Sequence, residues 1–222
     1  MREIVVSAFA SLDGVMQAPG APEEDPTGGF EHGGWVAEHF DEVVGAAMGE
    51  IFSTPYELLL GRKTYDNFAA HWPHITDPRA QHFAIAEQFN RITKHVATHH
   101  PESLTWKNSR AFGPDPVAKL RALKEEDGPA LLTQGSSDFF QALFAGDLVD
   151  ELHLFVFPIV LGKGKRPFGG GEKPAGFRLE SSKVSPNGVV IASYARAGDV
   201  KQGSFALEKP TPEEIERRRN LK

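Results

Sequence analysis

Apolar positions along this chain change their spacing from segment to segment, and those changes mark out the elements. The opening run EIVVSAFAS is β-branched and apolar almost throughout, which predicts a buried strand. Residues 12–34 lose all periodicity and are rich in Gly and Pro, so they read as a long loop. In WVAEHFDEVVGAAMGEIF, residues 35–52, Val36, Phe40, Val43, Val44, Ala47, Met48 and Ile51 recur at helical spacing. ELLLG at 57–61 is a short central strand, and a helix opens at RKTYDNFAAHW. A second helical stretch covers 77–90, with Asp77 as its N-cap and Pro78 at the first helical position. ITKHVATHH is a strand, and PDPVAKLRALKEE is a helix announced by Asp115-Pro116. PALLTQG is a strand, SSDFFQALFAGDL a helix capped by Ser136 or Ser137, and DELHLFVFPIVLG a long strand. Residues 176–196 read as two strands joined at Asn187-Gly188. The last segment, KPTPEEIERRRNLK, is charged and carries a helix start at Thr211-Pro212.

Strands and helices alternate, and an antiparallel pair closes the order. The expected architecture is an α/β layer fold with a mostly parallel sheet and an antiparallel C-terminal edge. One domain is expected over residues 1–200, with a charged tail at 201–222. The 222 residues are 40% hydrophobic and 24% charged, the balance of an ordinary soluble protein. A net charge of −6 argues against a general nucleic-acid binder. The absence of cysteine excludes disulfides, thiolate nucleophiles and thiolate metal sites. No apolar run reaches the ~20 residues of a membrane span, and the N-terminus does not read as a secretory signal, so a cytoplasmic protein is expected.

In parallel sheets, ligands sit beyond the carboxyl ends of the strands. Ser11-Leu12-Asp13-Gly14 follows the first strand, and Gly61-Arg62-Lys63-Thr64 the second. Thr98, His99 and His100 follow KHVA, and Gln134-Gly135-Ser136-Ser137 follow ALLT. Two of these are glycine turns into helix starts, where amides without internal partners attract anions. Thr64 and Ser136 add hydroxyls there, and Arg62 a planar fork suited to phosphate oxygens. Together they suit a ligand with more than one phosphate. The P-loop, G-x-G-x-x-G, H-E-x-x-H and G-x-S-x-G patterns are absent. His95, His99 and His100 lie close in sequence, but nothing nearby completes a zinc site, so no metal is expected.

Four motifs, SLDGVM, LLLGRKTYDNF, KHVATHH and LLTQGSSDFFQALFAGDLVDELHLFVFPIVLGKGKRPF, carry a resemblance over roughly residues 1 to 196. The chain resembles the dihydrofolate reductase-like superfamily, in the branch that holds the reductase domain of bifunctional riboflavin biosynthesis proteins. The resemblance implies a mostly parallel sheet of about eight strands flanked by helices, a homodimer, and NADPH as cofactor. It implies that Gly61, Arg62, Lys63 and Thr64 open the helix holding cofactor phosphates. Arg62 would meet the 2′-phosphate, with Thr98, His99 or His100 opposite. Gly135, Ser136 and Ser137 would cradle the pyrophosphate, and Ala8 would offer backbone groups to the nicotinamide, with Asp13 and Pro158 nearby.

The implied chemistry is hydride transfer to a C=N or C=O of a small, pterin-like heterocycle. Asp13 or Asp41 would relay the proton. Trp35 and Phe40 would form an aromatic wall for the substrate, Phe139 would pack on the cofactor, and loop 17–34 would act as a lid. Two alternatives remain open at this level. One is reduction of a phosphoribosylamino-pyrimidine, with Lys163, Lys165 and Arg166 meeting the substrate phosphate. The other is a module that holds NADPH or a flat ligand without turnover.

Overall fold

The computed structural model describes residues 1–113, 115–169 and 171–221; Pro114, at the head of a predicted helix, Gly170, in the glycine-rich basic loop, and Lys222, in the tail, lie outside the described residues. The parallel strands are β1 (Ile4–Ser11), β2 (Tyr56–Gly61), β3 (Lys94–Ala97), β4 (Ser109–Phe112), β5 (Ala130–Thr133) and β6 (Glu151–Phe157). The strands β7 (Phe177–Val184) and β8 (Val190–Arg196) form the antiparallel edge. The eight make one sheet in the order β4-β3-β2-β5-β1-β6-β8-β7. The helices are α1 (Glu42–Ser53), α2 (Arg62–His71), α3 (Phe83–Arg91), α4 (Pro116–Glu125), α5 (Ser137–Ala145) and α6 (Pro212–Arg219). The expected α/β sheet with an antiparallel C-terminal edge is therefore observed.

Side-chain alternation along the strands sorts the core into two layers. Ile4, Val6 and Ala8 of β1 face Leu120 of α4 and Phe139, Phe140, Leu143 and Phe144 of α5. On the opposite face, Val5, Leu58, Leu60 and Leu132 pack with Tyr65 of α2 and Phe89 of α3, while Val44, Ala47 and Met48 of α1 pack with Phe155 and Ile191. No helix among the described residues is long and apolar enough to cross a membrane.

Three local expectations are corrected, and one strand was not anticipated. The helix expected over 35–52 is broken into a 3-10 turn at Ala37–His39 and α1, because Asp41 adopts extended backbone and its carboxylate caps Val43 N and Val44 N. Asp77 does not cap a helix. It binds Arg79 N and the Arg79 guanidinium in a turn, and α3 begins only at Phe83. The strand expected over 150–162 ends at Phe157, where Pro158 removes a ladder donor. The edge strand β4 has no sequence signal, since it has four residues and is half exposed.

Two features set the geometry of the sheet. On β2, Glu57 accepts a bond from buried Arg2 at 2.6 Å and lies 2.7 Å from His95 Nε2 on β3. Arg2 also donates to Pro129 O at the head of β5, so one carboxylate ties three neighbouring strands together. Burial opposes ionisation of Glu57, but the bonds from His95 and Arg2 hold its carboxyl below the ordinary value. The second feature lies at the other end of β2. The turns after β2 and β5 nearly touch, because these strands are neighbours in the sheet. A Cβ on Gly61 would overlap Ser136 Oγ and lie 3.1 Å from Phe139 Cβ, and one on Gly135 would overlap Thr64 Oγ1. A larger residue at either position would force the facing hydroxyl to shift.

Glu57→Gln is expected to cost about 1.5–3 kcal/mol at neutral pH, since it removes charge from bonds to a buried Arg. A lowered carboxyl pKa stabilises the fold above its unfolded value and ceases to do so as pH falls through the folded value. The gap between wild type and variant should therefore close in acid; urea titrations across pH that show a constant gap would refute this. Gly61→Ala should cost about 1–3 kcal/mol by overpacking the junction, and an unchanged urea midpoint would show that the two turns can separate freely.

Candidate active-site cleft

Strand β1 pairs with β5 only as far as Val6↔Thr133, but runs on beside β6 to Ser11. Beyond the end of β5 this leaves a gap, and a cleft of about 290 Å³ opens there. Its floor is Ser7 and Phe9 of β1. One wall is the junction of helix starts: Lys63 and Thr64 of α2 face Gln134, Gly135, Ser136 and Ser137. The cleft rim on the other side is the loop from Met16 to Asp25.

Neither helix start has a side-chain cap, so their first amides lack internal partners. The first turn of α2 contains no acidic residue, whereas that of α5 contains Asp138, which also lines the cleft. The α2 end is thus the more favourable for an anion. Arg62 stands beside it, 34% exposed. It donates to Asp66 at 2.9 Å, to Thr98 Oγ1 at 3.3 Å and to Ser103 Oγ. Arg62 and Thr98 therefore come together, although outside the residues lining the cleft itself. His99 is exposed, and His100 Nδ1 lies 3.2 Å from Glu102. His95 turns away to Glu57 and stacks on Phe112. Among the described residues, no group of three or more His, Asp or Glu is placed to hold a metal ion.

Several predicted site residues lie elsewhere. Asp13 accepts from Ser11 Oγ at 2.6 Å, from the amides of Leu161 and Gly162, and from Arg166. These bonds, led by the Ser11 hydroxyl, hold its pKa down at about 2, and they pin the turn after β1 to the loop after β6. Asp41 is similarly committed. Against a desolvation penalty, the amides of Val44, Asn187 and Val43 keep its carboxyl below the ordinary range. Trp35 is buried, donates from Nε1 to Gln17 O at 2.8 Å and meets Phe157 edge-on, so it anchors the loop. Phe40 packs edge-on against Phe9 from an exposed position. Phe139 is a core residue beneath Gly61. The Ala8 side chain points into the α5 layer, while its backbone, the part expected to meet the nicotinamide, runs between Ser7 and Phe9 on the cleft floor. Pro158 is exposed near Gly188 in the β7–β8 turn.

Residues missed in the sequence take their places. Asn67, Phe68 and Trp72 line the cleft with Thr64, and their spacing along α2 and its 3-10 extension is that of one helix face. Glu24 and Asp25 come from the loop, where no periodicity could single them out. Lys165 Nζ pairs with Asp25 and also reaches Thr27 Oγ1 at 2.7 Å. Burial disfavours the Asp25 anion, yet the Lys165 and Thr27 bonds hold its pKa below normal. Glu24 has no cation partner among the described residues; burial raises its pKa above the ordinary glutamate value, against bonds from the amides of Gly20, at 2.6 Å, and Ala21. Two neighbouring carboxyls thus shift in opposite directions, Asp25 down and Glu24 up.

The fold has solved counterparts. A diaminohydroxyphosphoribosylaminopyrimidine deaminase/5-amino-6-(5-phosphoribosylamino)uracil reductase from Thermotoga maritima aligns with a TM-score of 0.58 at 16% identity, over 88% of this chain and 57% of that one. A pyrimidine reductase-like protein from Corynebacterium diphtheriae gives 0.57 at 14% identity, over 89% and 93%. Dihydrofolate reductase from Enterococcus faecalis, complexed with NADP(H) and RAB-propyl, gives 0.53 at 13% identity, over 87% and 96%. At these identities the likeness is one of fold. No curated protein matches the sequence. The model of the RibD C-terminal domain family matches residues 2–191. With that match running over most of its length, the chain belongs to the RibD C-terminal domain family.

Proposed function

We propose that this protein is an NADPH-dependent reductase that adds hydride and a proton across a C=N or C=O of a small flat heterocycle. Its family and its structural counterparts, which include reductases, support this class of chemistry. The observation that carries the reading is the junction of the two glycine turns, where uncapped helix starts open onto one cleft. This cradle fits a dinucleotide phosphate, because the α2 amides lack partners and Lys63 has no ion-pair partner among the described residues.

In this reading Thr64, Ser136 and Ser137 hold phosphate oxygens, and Arg62, with Thr98 and Ser103 fixing its fork, meets the 2′-phosphate. NADPH supplies the hydride when bound. The chain's own residues do the rest. Phe9, Phe68 and Trp72 give the substrate ring an apolar surface and displace water from the reacting face. Glu24, whose neutral form burial favours, holds the proton that completes the reduction. Asp25 remains ionised and fixes Lys165, which leaves Lys165 unsuited to a substrate phosphate unless it gives up that pair.

The substrate ring is of pterin or aminopyrimidine type. The family match favours the pyrimidine member of that pair as a second reading. A panel of both ring types, assayed by loss of NADPH absorbance, separates them. Cofactor binding without turnover of any member would instead identify a holding module.

Arg62→Ala should weaken NADPH roughly tenfold and leave NADH nearly unchanged, since a charge-assisted contact to the 2′-phosphate is removed. Equal losses for the two cofactors in calorimetry would reject the assignment. Glu24 must be protonated to act, so kcat/KM should fall as pH rises through its raised pKa. Glu24→Gln should lower the rate and remove that dependence; a variant retaining the wild-type pH profile would exclude Glu24 as the donor.

A further inference from the structure

The glycine-rich loop after β6 carries three cations close together, Lys163, Lys165 and Arg166, a run that by sequence suits a substrate phosphate. The folded chain uses them otherwise. Arg166 donates to Asp13 O at 2.9 Å, to Gly162 O at 3.1 Å and to the Asp13 carboxylate. Lys163 is not among the residues that line the cleft. Lys165 does line it, but its ammonium is bound to the Asp25 carboxylate and, at 2.7 Å, to Thr27 Oγ1.

The Asp25–Lys165 pair is held from both sides. Asp25 also accepts from Thr27 N, at 3.2 Å, and from Thr27 Oγ1. Buried Gln17 fixes the two backbones that carry the pair: its Oε1 accepts from Lys165 N at 3.0 Å, and its Nε2 donates to Asp25 O and Thr27 O, each at 2.9 Å. Met16 N donates to Lys165 O at 2.9 Å. The two segments cannot part without leaving the polar groups of a buried amide unpaired, which is costly. The side chains of Lys165 and Asp25 are only 27% and 19% exposed, so salt screens their attraction less than that of a surface pair.

The charges around the cleft point the same way. Among the described residues, its charged lining is Glu24, Asp25 and Asp138 against Lys63 and Lys165. Lys63 stands in the first turn of α2, where the reductase reading places cofactor phosphates. That leaves Lys165 as the cation on the substrate side, and Asp25 cancels it. Asp138 is exposed in the first turn of α5 and adds negative charge. A phosphate dianion brought here meets a neutralised ammonium and the carboxylate of Asp138, and like charges brought together are costly. A hydroxyl or amino group meets no such penalty.

We propose that Asp25 is a specificity-determining residue that excludes phosphorylated substrates, so that the heterocycle taken by this cleft carries no phosphate. Asp25 acts through Lys165: it occupies the one ammonium that could otherwise receive the phosphate. The inference rests on the reductase reading of the cleft and narrows its substrate class.

The test compares matched ligands by calorimetry on the full chain saturated with NADPH, so that the helix starts are already occupied. The pairs are uridine with uridine 5′-monophosphate, and a hydroxyalkyl pterin with its phosphate ester. In the wild type the phosphate should weaken binding roughly fivefold. Asp25→Asn frees Lys165 and should shift the ratio within each pair roughly tenfold towards the phosphorylated member. Asp25→Ser removes the same charge and should shift it likewise, which covers poor folding of the first variant. Adding Lys165→Met to either should abolish the shift, whereas a shift caused by general loosening of the loop would persist. A wild-type preference for the phosphorylated members, an unchanged ratio in the Asp25 variants, a shift that survives loss of Lys165, or no binding of any of the four ligands would each overturn the proposal. NADPH is titrated beforehand: its failure to bind would defeat the reductase reading and this inference with it, whereas the other four results overturn the role of Asp25 with that reading intact.

Discussion

The structure depends on how closely two strand-to-helix turns approach each other. Gly61 ends β2 and Gly135 follows β5, the neighbouring strand, and at each the hydroxyl of the facing turn occupies the space an added Cβ would need. Because the turns touch, the N-termini of α2 and α5 open side by side. Their fields then add at one place rather than acting at two separate points on the sheet rim. Gly61 N also donates to Gly135 O at 3.3 Å, which continues the sheet's bonding across the junction. The same contact decides what can line the cleft, since it brings Thr64 and Ser136 to one wall.

Most of the charged residues around the cleft are spent on holding loops together. Asp13 ties the turn after β1 to Leu161, Gly162 and Arg166. Gln17 accepts from Lys165 N, and its amide group donates to Asp25 O and Thr27 O. These bonds fasten the glycine-rich loop at 162–169 to the long loop after β1. They leave the cleft with few groups that retain chemical freedom, chiefly Glu24 and Lys63. A site needs both classes of residue. A carboxylate already bound by several donors makes a rigid frame, and one raised by burial can exchange a proton.

Much of this architecture was legible from periodicity. β-branched runs marked the central strands, and glycine followed by a helical pattern marked both strand-to-helix turns of the cleft wall. Thr64, Asn67 and Phe68 were also within reach, as one face of a predicted helix. Other residues make contacts that the sequence did not announce, because their types have more than one common role. Asp41 has the sequence context of a helix face and proves to be a cap, and Trp35 has that of a site wall and proves to be an anchor. Glu24 gave no signal, since it lies in a Gly- and Pro-rich loop whose path is set by distant partners.

The chain alone therefore determined which segments are strands and helices, that the sheet is mostly parallel, and where two glycine turns lead from a strand into a helix. All of these follow from local spacing and from the conformational properties of glycine and proline. Only the folded structure decided which carboxyl is held below its ordinary value and which burial raises, and which aromatics face the cleft. Those properties depend on burial and on bonds between residues far apart in sequence, such as Asp13 with Leu161 and Asp25 with Lys165. No local pattern encodes them, because a side chain's electrostatic environment comes into being only when the layers close.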